Sequence, residues 1–298
     1  MAHAHTHTDK TPDEEKRLAW AFCLIAGFML IELAVGLYSN ALVLLADAGH
    51  MFLDATALGL AWWAARVSAR DPDQHLSYGY HRFQVLAAFI NGLTLALLVI
   101  WIAIEAAGRL FEPEPMLPLP TLLVAFVGLL INMVAFRWLH GDHHSANVRS
   151  AALHVLGDLL GSAAAIIAAL VVWQFGWYFA DPFLALMIVL ILSRSAYRVI
   201  RESAHILLEG VPPGVDLGEI KATLCRIPAV QEIHHVHAWA LTAEKPLLTL
   251  HAQVTETSQV EEAVSDIKRV LNDHFGIDHS TIQVEFGACP DHDDTGHA

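Results

Sequence analysis

The chain has 298 residues, 55% of them apolar and only 16% charged, with a mean hydropathy of +0.46; an ordinary soluble domain carries about 25% charged residues. Seventeen Lys and Arg against 31 Asp and Glu leave a formal charge of −14, which excludes the basic face that a nucleic-acid partner requires and suits cationic ligands. Three scattered cysteines, Cys23, Cys225 and Cys289, make no disulfide framework, and the unusual count is that of the 19 histidines.

Uncharged apolar stretches of the roughly 20 residues needed to cross a bilayer recur through the first two thirds, at 83–104, 116–136 and 159–180. Reading outward from them predicts six transmembrane helices near 18–38, 41–66, 83–108, 119–139, 149–173 and 181–200. Residues 1–17 are acidic and carry histidines, and no small-residue cleavage site follows the first apolar run, so that run is expected to be a retained helix and not a signal peptide. With the N-terminus inside, eleven Lys and Arg fall on the inner side and Arg109 alone on the outer, which predicts cytoplasmic termini.

After Gly210-Val211-Pro212-Pro213-Gly214 the pattern becomes that of a small α+β domain. Asp216 and Glu219 form a capping pair for a helix to about Arg226. Strands at 231–241 and 247–254 flank a turn at Glu244-Lys245-Pro246; a helix over 259–275 and a strand over 280–286 follow. The αββαβ order predicts two helices on a three-stranded sheet. The expected domains are a cytoplasmic tail 1–17, a six-helix transmembrane domain 18–205, a cytoplasmic α+β domain 206–287 and a tail 288–298.

An ionisable group at membrane depth costs several kcal/mol and marks function by default. The second helix carries Asp47, His50 and Asp54, and the fifth His154 and Asp158. In both, a His precedes an Asp by four residues, which sets the two side chains on one face. Two such faces turned together present two imidazoles and two carboxylates, a tetrahedral set for Zn²⁺, with Co²⁺, Cd²⁺ or Ni²⁺ next by affinity order. Either pair alone reads equally well as a structural clasp between helices; two at one spacing favour metal. Asp47 reads as a proton relay or second-shell partner of His50, or as a plain helix-entry acid. Glu32, Asn91 and Asn132 are expected to make interhelical hydrogen bonds and are left out of the site.

These residues resemble the cation diffusion facilitator family, in particular its zinc-transporting branch of bacterial zinc, cadmium and cobalt exporters. The likeness rests on Leu44-Leu45-Ala46-Asp47-Ala48-Gly49-His50-Met51-Phe52-Leu53-Asp54, Tyr78-Gly79-Tyr80-His81-Arg82, Glu105-Ala106-Ala107-Gly108-Arg109-Leu110 and His154-Val155-Leu156-Gly157-Asp158. It implies a homodimeric exporter in the cell (inner) membrane, six helices per subunit, with a ferredoxin-like, metallochaperone-like cytoplasmic domain and exchange of a divalent metal for protons. The family's transport site maps onto His50, Asp54, His154 and Asp158. His234, His251 and Glu285 stand where zinc members carry strand-borne ligands, Cys289 completes that set, and His81 with His279 marks an interfacial site. Zn²⁺ is thereby both substrate and a structural or regulatory ligand. His235 is expected to face away from His234 by strand alternation. His3, His5 and His7, and the loop histidines His140, His143 and His144, read either as metal-gathering groups or as tail and loop polarity.

The expected mechanism is alternating access: Zn²⁺ enters from the cytoplasm, binds the four residues when they are deprotonated, and leaves outside as protons return. Two rivals are a membrane metalloenzyme and a membrane-tethered metal sensor. A catalytic zinc keeps an open position, which two His and two Asp would close, and a sensor leaves the intramembrane carboxylates unexplained. Membrane lipid is the remaining expected partner, and nucleic acid is not one.

Overall fold

A computed structural model describes residues 12–139, 146–287 and 289, with side chains for these except 12–25, 135, 136, 138, 139 and 146–156. His3, His5, His7, His140, His143 and His144, and the expected 288–298 tail apart from Cys289, lie outside the described residues. Six long helices come first: α1 Pro12–Ser39, α2 Leu42–Ser68, α3 Arg82–Phe111, α4 Pro118–Leu139, α5 Ala146–Phe175 and α6 Ala180–Leu207. At about 1.5 Å per residue even the 22-residue α4 exceeds the ~30 Å of a hydrocarbon core. The α1 helix is described from Pro12, ahead of its expected apolar start. The α6 helix continues past the apolar run until Glu209, at φ 59°, and the Gly-Pro segment stop it.

The chain divides into two compact units, one formed by the chain up to Gly59 with Asn91–Tyr197, the other by Leu60–Ile90 with Arg198 onward. In the first, the interior is rich in alanine: Ala41, Ala46, Ala106, Ala125, Ala168 and Ala185 are buried with Leu42, Leu44 and Ile102. Small residues let helices approach closely where lipid supplies no hydrophobic drive. Large side chains such as Leu97, Ile104, Trp173 and Leu190 face outward, as a lipid-facing surface demands.

Polar groups anchor the start of α2. Its first free N–H groups are capped from a distant helix: buried Asp181, in the first turn of α6, accepts from Leu42 N at 2.8 Å and Val43 N at 3.0 Å. The preceding turn is held by the one cation expected on the outer side. Arg109 donates to the Asn40 carbonyl at 2.9 Å and its Oδ1 at 2.8 Å, and pairs with Glu105 at 2.9 Å. Asn40 sits at φ 55°, a left-handed conformation that Asn tolerates.

In the second unit, Asp216 caps α7 (Leu217–Leu224), accepting from Gly218 N and Glu219 N. Strands β1 (Val230–Ala240) and β2 (Pro246–Val254) pair antiparallel, and β3 (His279–Glu285) joins β2 in parallel after α8 (Val260–Phe275). The order αββαβ and the three-stranded sheet agree with the sequence expectation. Gly276, at φ 66°, ends α8 by returning its N–H to Asn272 O, the left-handed stop that glycine serves. Ile220, Leu224, Ile233, Leu250, Ile267 and Leu271 form the core.

A hydrogen bond to an ionised acceptor contributes about 1.5–3 kcal/mol, so Asp181→Ala is expected to lower the melting temperature of the detergent-solubilised chain by several degrees. Asp181→Asn, which keeps one acceptor oxygen, should lose about half as much. Tryptophan fluorescence on heating reads both.

Candidate metal centres

In α2, His50 Nε2 lies 3.4 Å from Asp54 Oδ2, so the expected i, i+4 face forms. In α5, Asp158 is buried, and His154 sits one turn earlier on the same helix. The two helices are brought together at Asp47: a Cβ on Gly161 of α5 would overlap Asp47 Oδ1 and stand 3.0 Å from Oδ2. Successive spans alternate in direction, so α2 and α5 run antiparallel. From the Asp47–Gly161 contact, three residues along α2 reach His50 while three residues back along α5 reach Asp158. Four more in each direction reach Asp54 and His154. Antiparallel packing from that one contact therefore brings the four positions to matching levels.

The cytoplasmic histidines gather more tightly than alternation predicts. His234 and His251 are cross-strand partners on β1 and β2. Glu285, at the end of β3, reaches both, with Oε2 3.0 Å from His234 Nε2 and Oε1 3.0 Å from His251 Nδ1. Cys289 Sγ lies 3.6 Å from His251 Nδ1 and 3.8 Å from His235 Nδ1. One donor atom each from His234, His235, His251 and Cys289 lie within 4.8 Å of one another. His235 thus turns toward His234, contrary to strict alternation. The β1–β2 register slips between His234 and His237, and His235 adopts φ 48°; a bulge inserts one residue and re-aims a side chain. The run His234-His235-Val236-His237 signals the cluster in the sequence, but nothing local signals the bulge. His237 lies instead along an open groove with Tyr78, Leu217 and Thr249.

Three imidazoles, a thiol and a carboxylate are a borderline-soft donor set of the kind that holds zinc. Neither ring nitrogen of His234 makes a hydrogen bond of good geometry, which leaves lone-pair capacity for an ion. Burial pushes the Glu285 carboxyl up, but the Gln283 amide, the Cys289 thiol and the His234 and His251 imidazoles together hold it below the ordinary value. The acceptor form is therefore favoured.

His81 and His279 border one cavity of about 270 Å³ with Tyr78, Glu244, Lys245 and Asp278. Ser68 Oγ lies 3.2 Å from His81 Nδ1 and the Lys245 ammonium 3.1 Å from Nε2. Burial and that ammonium keep the His81 imidazole below its usual value and hence neutral. A metal bonding Nε2 would have to displace Lys245, a neighbour that pattern reading missed. The loop ahead of His81 is folded on Asp73, which accepts from Tyr80 Oη at 2.7 Å and from His75 N and Leu76 N at 2.8 Å. The Tyr80 hydroxyl and these N–H groups hold its carboxyl below the usual range. Its contribution to loop order is therefore full above the ordinary Asp value and lost only as pH falls through the lowered one.

Ionisable side chains buried in a bundle of apolar helices, and a metal-ligating cluster on a small α+β domain, define a membrane transporter of metal cations. The cation efflux transmembrane domain matches residues 18–208, and the cytoplasmic domain of cation efflux proteins matches 212–286. The chain belongs to the cation efflux family, the cation diffusion facilitators its motifs resemble. It is 44% identical to zinc transporter ZitB of Escherichia coli (strain K12), over 97% of this chain and 94% of that protein. Over 94% and 91% it is 35% identical to the cadmium, cobalt and zinc/H(+)-K(+) antiporter of Bacillus subtilis (strain 168). Over 100% and 94% it is 36% identical to the metal cation efflux system protein CzcD of Cupriavidus metallidurans. The protein is an integral membrane transporter and not an enzyme, so the metalloenzyme reading falls.

Removing a hydrogen-bond partner of a metal ligand costs a site about 10–100-fold in affinity, and removing a ligand at least as much. His234→Ala with His251→Ala should therefore lose one bound metal per chain in elemental analysis. His235→Ala alone should weaken that metal by at least about tenfold, as read by competition with a chelating dye.

Proposed function

We propose that this protein exports Zn²⁺ from the cytoplasm in exchange for protons by alternating access, with His50, Asp54, His154 and Asp158 as the transport site. The observation that carries the reading is the Asp47–Gly161 contact, from which antiparallel packing aligns two His–Asp pairs across α2 and α5. Cd²⁺, Co²⁺ and Ni²⁺ are further candidate substrates by affinity order. The names carried by the E. coli and B. subtilis relatives support both the zinc-type cargo and the antiport.

The coupling follows from the donor set. Metal ligation needs neutral imidazole and ionised carboxylate, so protons and metal compete for the same atoms, and histidines titrate near neutrality, where the competition works at ordinary pH. Asp47, one turn from His50, passes protons to or from that site. The protein works as a homodimer in the inner membrane with both termini cytoplasmic. A tail 1–17, a transmembrane domain 18–205, a cytoplasmic domain 206–287 and a tail 288–298 divide the labour. His234, His235, His251, Glu285 and Cys289 would hold a resident Zn²⁺ that ties the three strands together. His81 and His279 form a secondary cation contact once Lys245 has moved aside.

In proteoliposomes, Asp158→Ala should abolish zinc flux together with the opposing proton flux; zinc flux that persists in this variant removes the site assignment. His50→Asp exchanges an imidazole for a harder carboxylate and is expected to relax selectivity toward Cd²⁺ or Mn²⁺, measured as the ratio of initial uptake rates into everted vesicles.

A further inference from the structure

Glu32 of α1, expected to be an interhelical hydrogen-bonding residue, is fully buried, and neither of its carboxylate oxygens has a hydrogen-bond partner among the described residues. The amide nitrogen of buried Asn132 on α4 is unpartnered in the same sense. The Asp47 and Asp158 carboxylates lie close enough to Glu32 to act on it electrostatically, and the Ser162 hydroxyl lies beside Asp47. Three helices, α1, α2 and α5, thus contribute polar side chains to one interior region. Two glycines make the room: Gly161 admits the Asp47 carboxylate, and at Gly128 a Cβ would stand 3.1 Å from Glu32 Oε1 and 2.9 Å from the Phe28 ring. Asn132 follows Gly128 by one turn on the same face of α4.

An unpaired carboxylate in a water-free interior is strongly disfavoured. Neither Glu32 nor Asp47 has a Lys or Arg partner among the described residues. The outer cation, Arg109, is committed to Asn40, Glu105 and Glu114. Two acids held together in this way are matched in charge by one divalent cation.

We propose that Glu32 and Asp47, with Ser162, form a second cation subsite, built of oxygen donors, that takes a divalent metal ion between the transport site and the α1–α2 turn. This rests on the reading of His50, Asp54, His154 and Asp158 as the transport site. Along their helices Asp47 and Glu32 lie about 7 and 10 Å from that turn, against about 12 Å for His50 and 18 Å for Asp54. Carboxylate and hydroxyl oxygens bind Zn²⁺ less tightly than imidazoles do. The subsite accepts the ion from the transport site and passes it on without trapping it, and with termini inside it lies on the exit side.

The test uses the full chain and Cd²⁺ alone as probe. In protein carrying Asp54→Ala, His234→Ala and His251→Ala, equilibrium dialysis is expected to count one more weakly bound Cd²⁺ per chain than in the same protein with Glu32→Gln added. Equal counts overturn the proposal. In proteoliposomes with the other sites intact, Glu32→Gln should lower the maximal zinc flux by about tenfold while leaving the apparent KM within about twofold; an unchanged maximal flux overturns it. Because Glu32→Gln removes an unpaired buried acid, its melting temperature should equal or exceed that of the parent. Asp47→Asn, read by the same dialysis, supplies an independent variant if Glu32→Gln does not fold. The dialysis is done with the transport pair already disabled, so it reads the subsite even if zinc flux in Asp158→Ala shows the transport-site reading to be wrong.

Discussion

A bilayer interior offers no water to a carboxylate, an imidazole or an open backbone N–H, and the helical half of this protein is arranged around that constraint. A helix satisfies most backbone groups internally, and at the head of α2 two that its start leaves open are met by a side chain from elsewhere in the chain. The Leu42 and Val43 N–H groups would be orphaned at the head of α2, and Asp181 reaches them from α6. The acids buried at this depth meet the same demand in another way, since Glu32, Asp47 and Asp158 lie close enough to act on one another. Charge at this depth is retained only where something passes through or is held.

The same anchoring determines where the chemistry sits. The α2 helix carries Asp47, His50 and Asp54, and its head is pinned by Asp181 and by the Arg109–Asn40 contacts of the preceding turn. Pinning one end sets both the height and the rotation of the His–Asp face. Gly161 lets α5 approach to the distance at which Asp47 fills the place of a missing side chain. A cap, a turn and a glycine thus act together on one helix, though the cap and the glycine each lie more than a hundred residues along the chain from the α2 residues they meet.

In the cytoplasmic unit the organising element is the sheet. Cross-strand pairing puts His234 opposite His251, and the parallel addition of β3 carries Glu285 to both. The bulge after His234 spends one residue of regular pairing to bring His235 into the cluster. Cys289, just past the strand, closes on two of the rings. Metal held there would join all three strands, and a set that includes a thiol suits retention, whereas the two imidazoles and two carboxylates proposed as the transport site suit exchange.

Much was legible from residue order alone, because it depends on local periodicity and on solvent. Six apolar spans, the αββαβ order, the Asp216 cap and the i, i+4 His–Asp pairs all follow from spacing along one element and from the cost of charge in lipid. Membership of a metal-exporting family follows from the motifs. What pairs across elements was not legible. Alternation along β1 pointed His235 the wrong way, since a bulge is a property of two strands and their register. Glu32 read as a hydrogen-bonding residue, since only packing against Gly128 and beside Asp47 reveals that no donor among the described residues reaches it. Lys245 beside His81 and Asp181 beneath α2 were likewise invisible, each acting on residues more than a hundred positions away. The sequence determined which groups are present and which solvent each segment meets; the tertiary structure decided which groups share a space, because a contact distance between distant elements has no trace in local spacing.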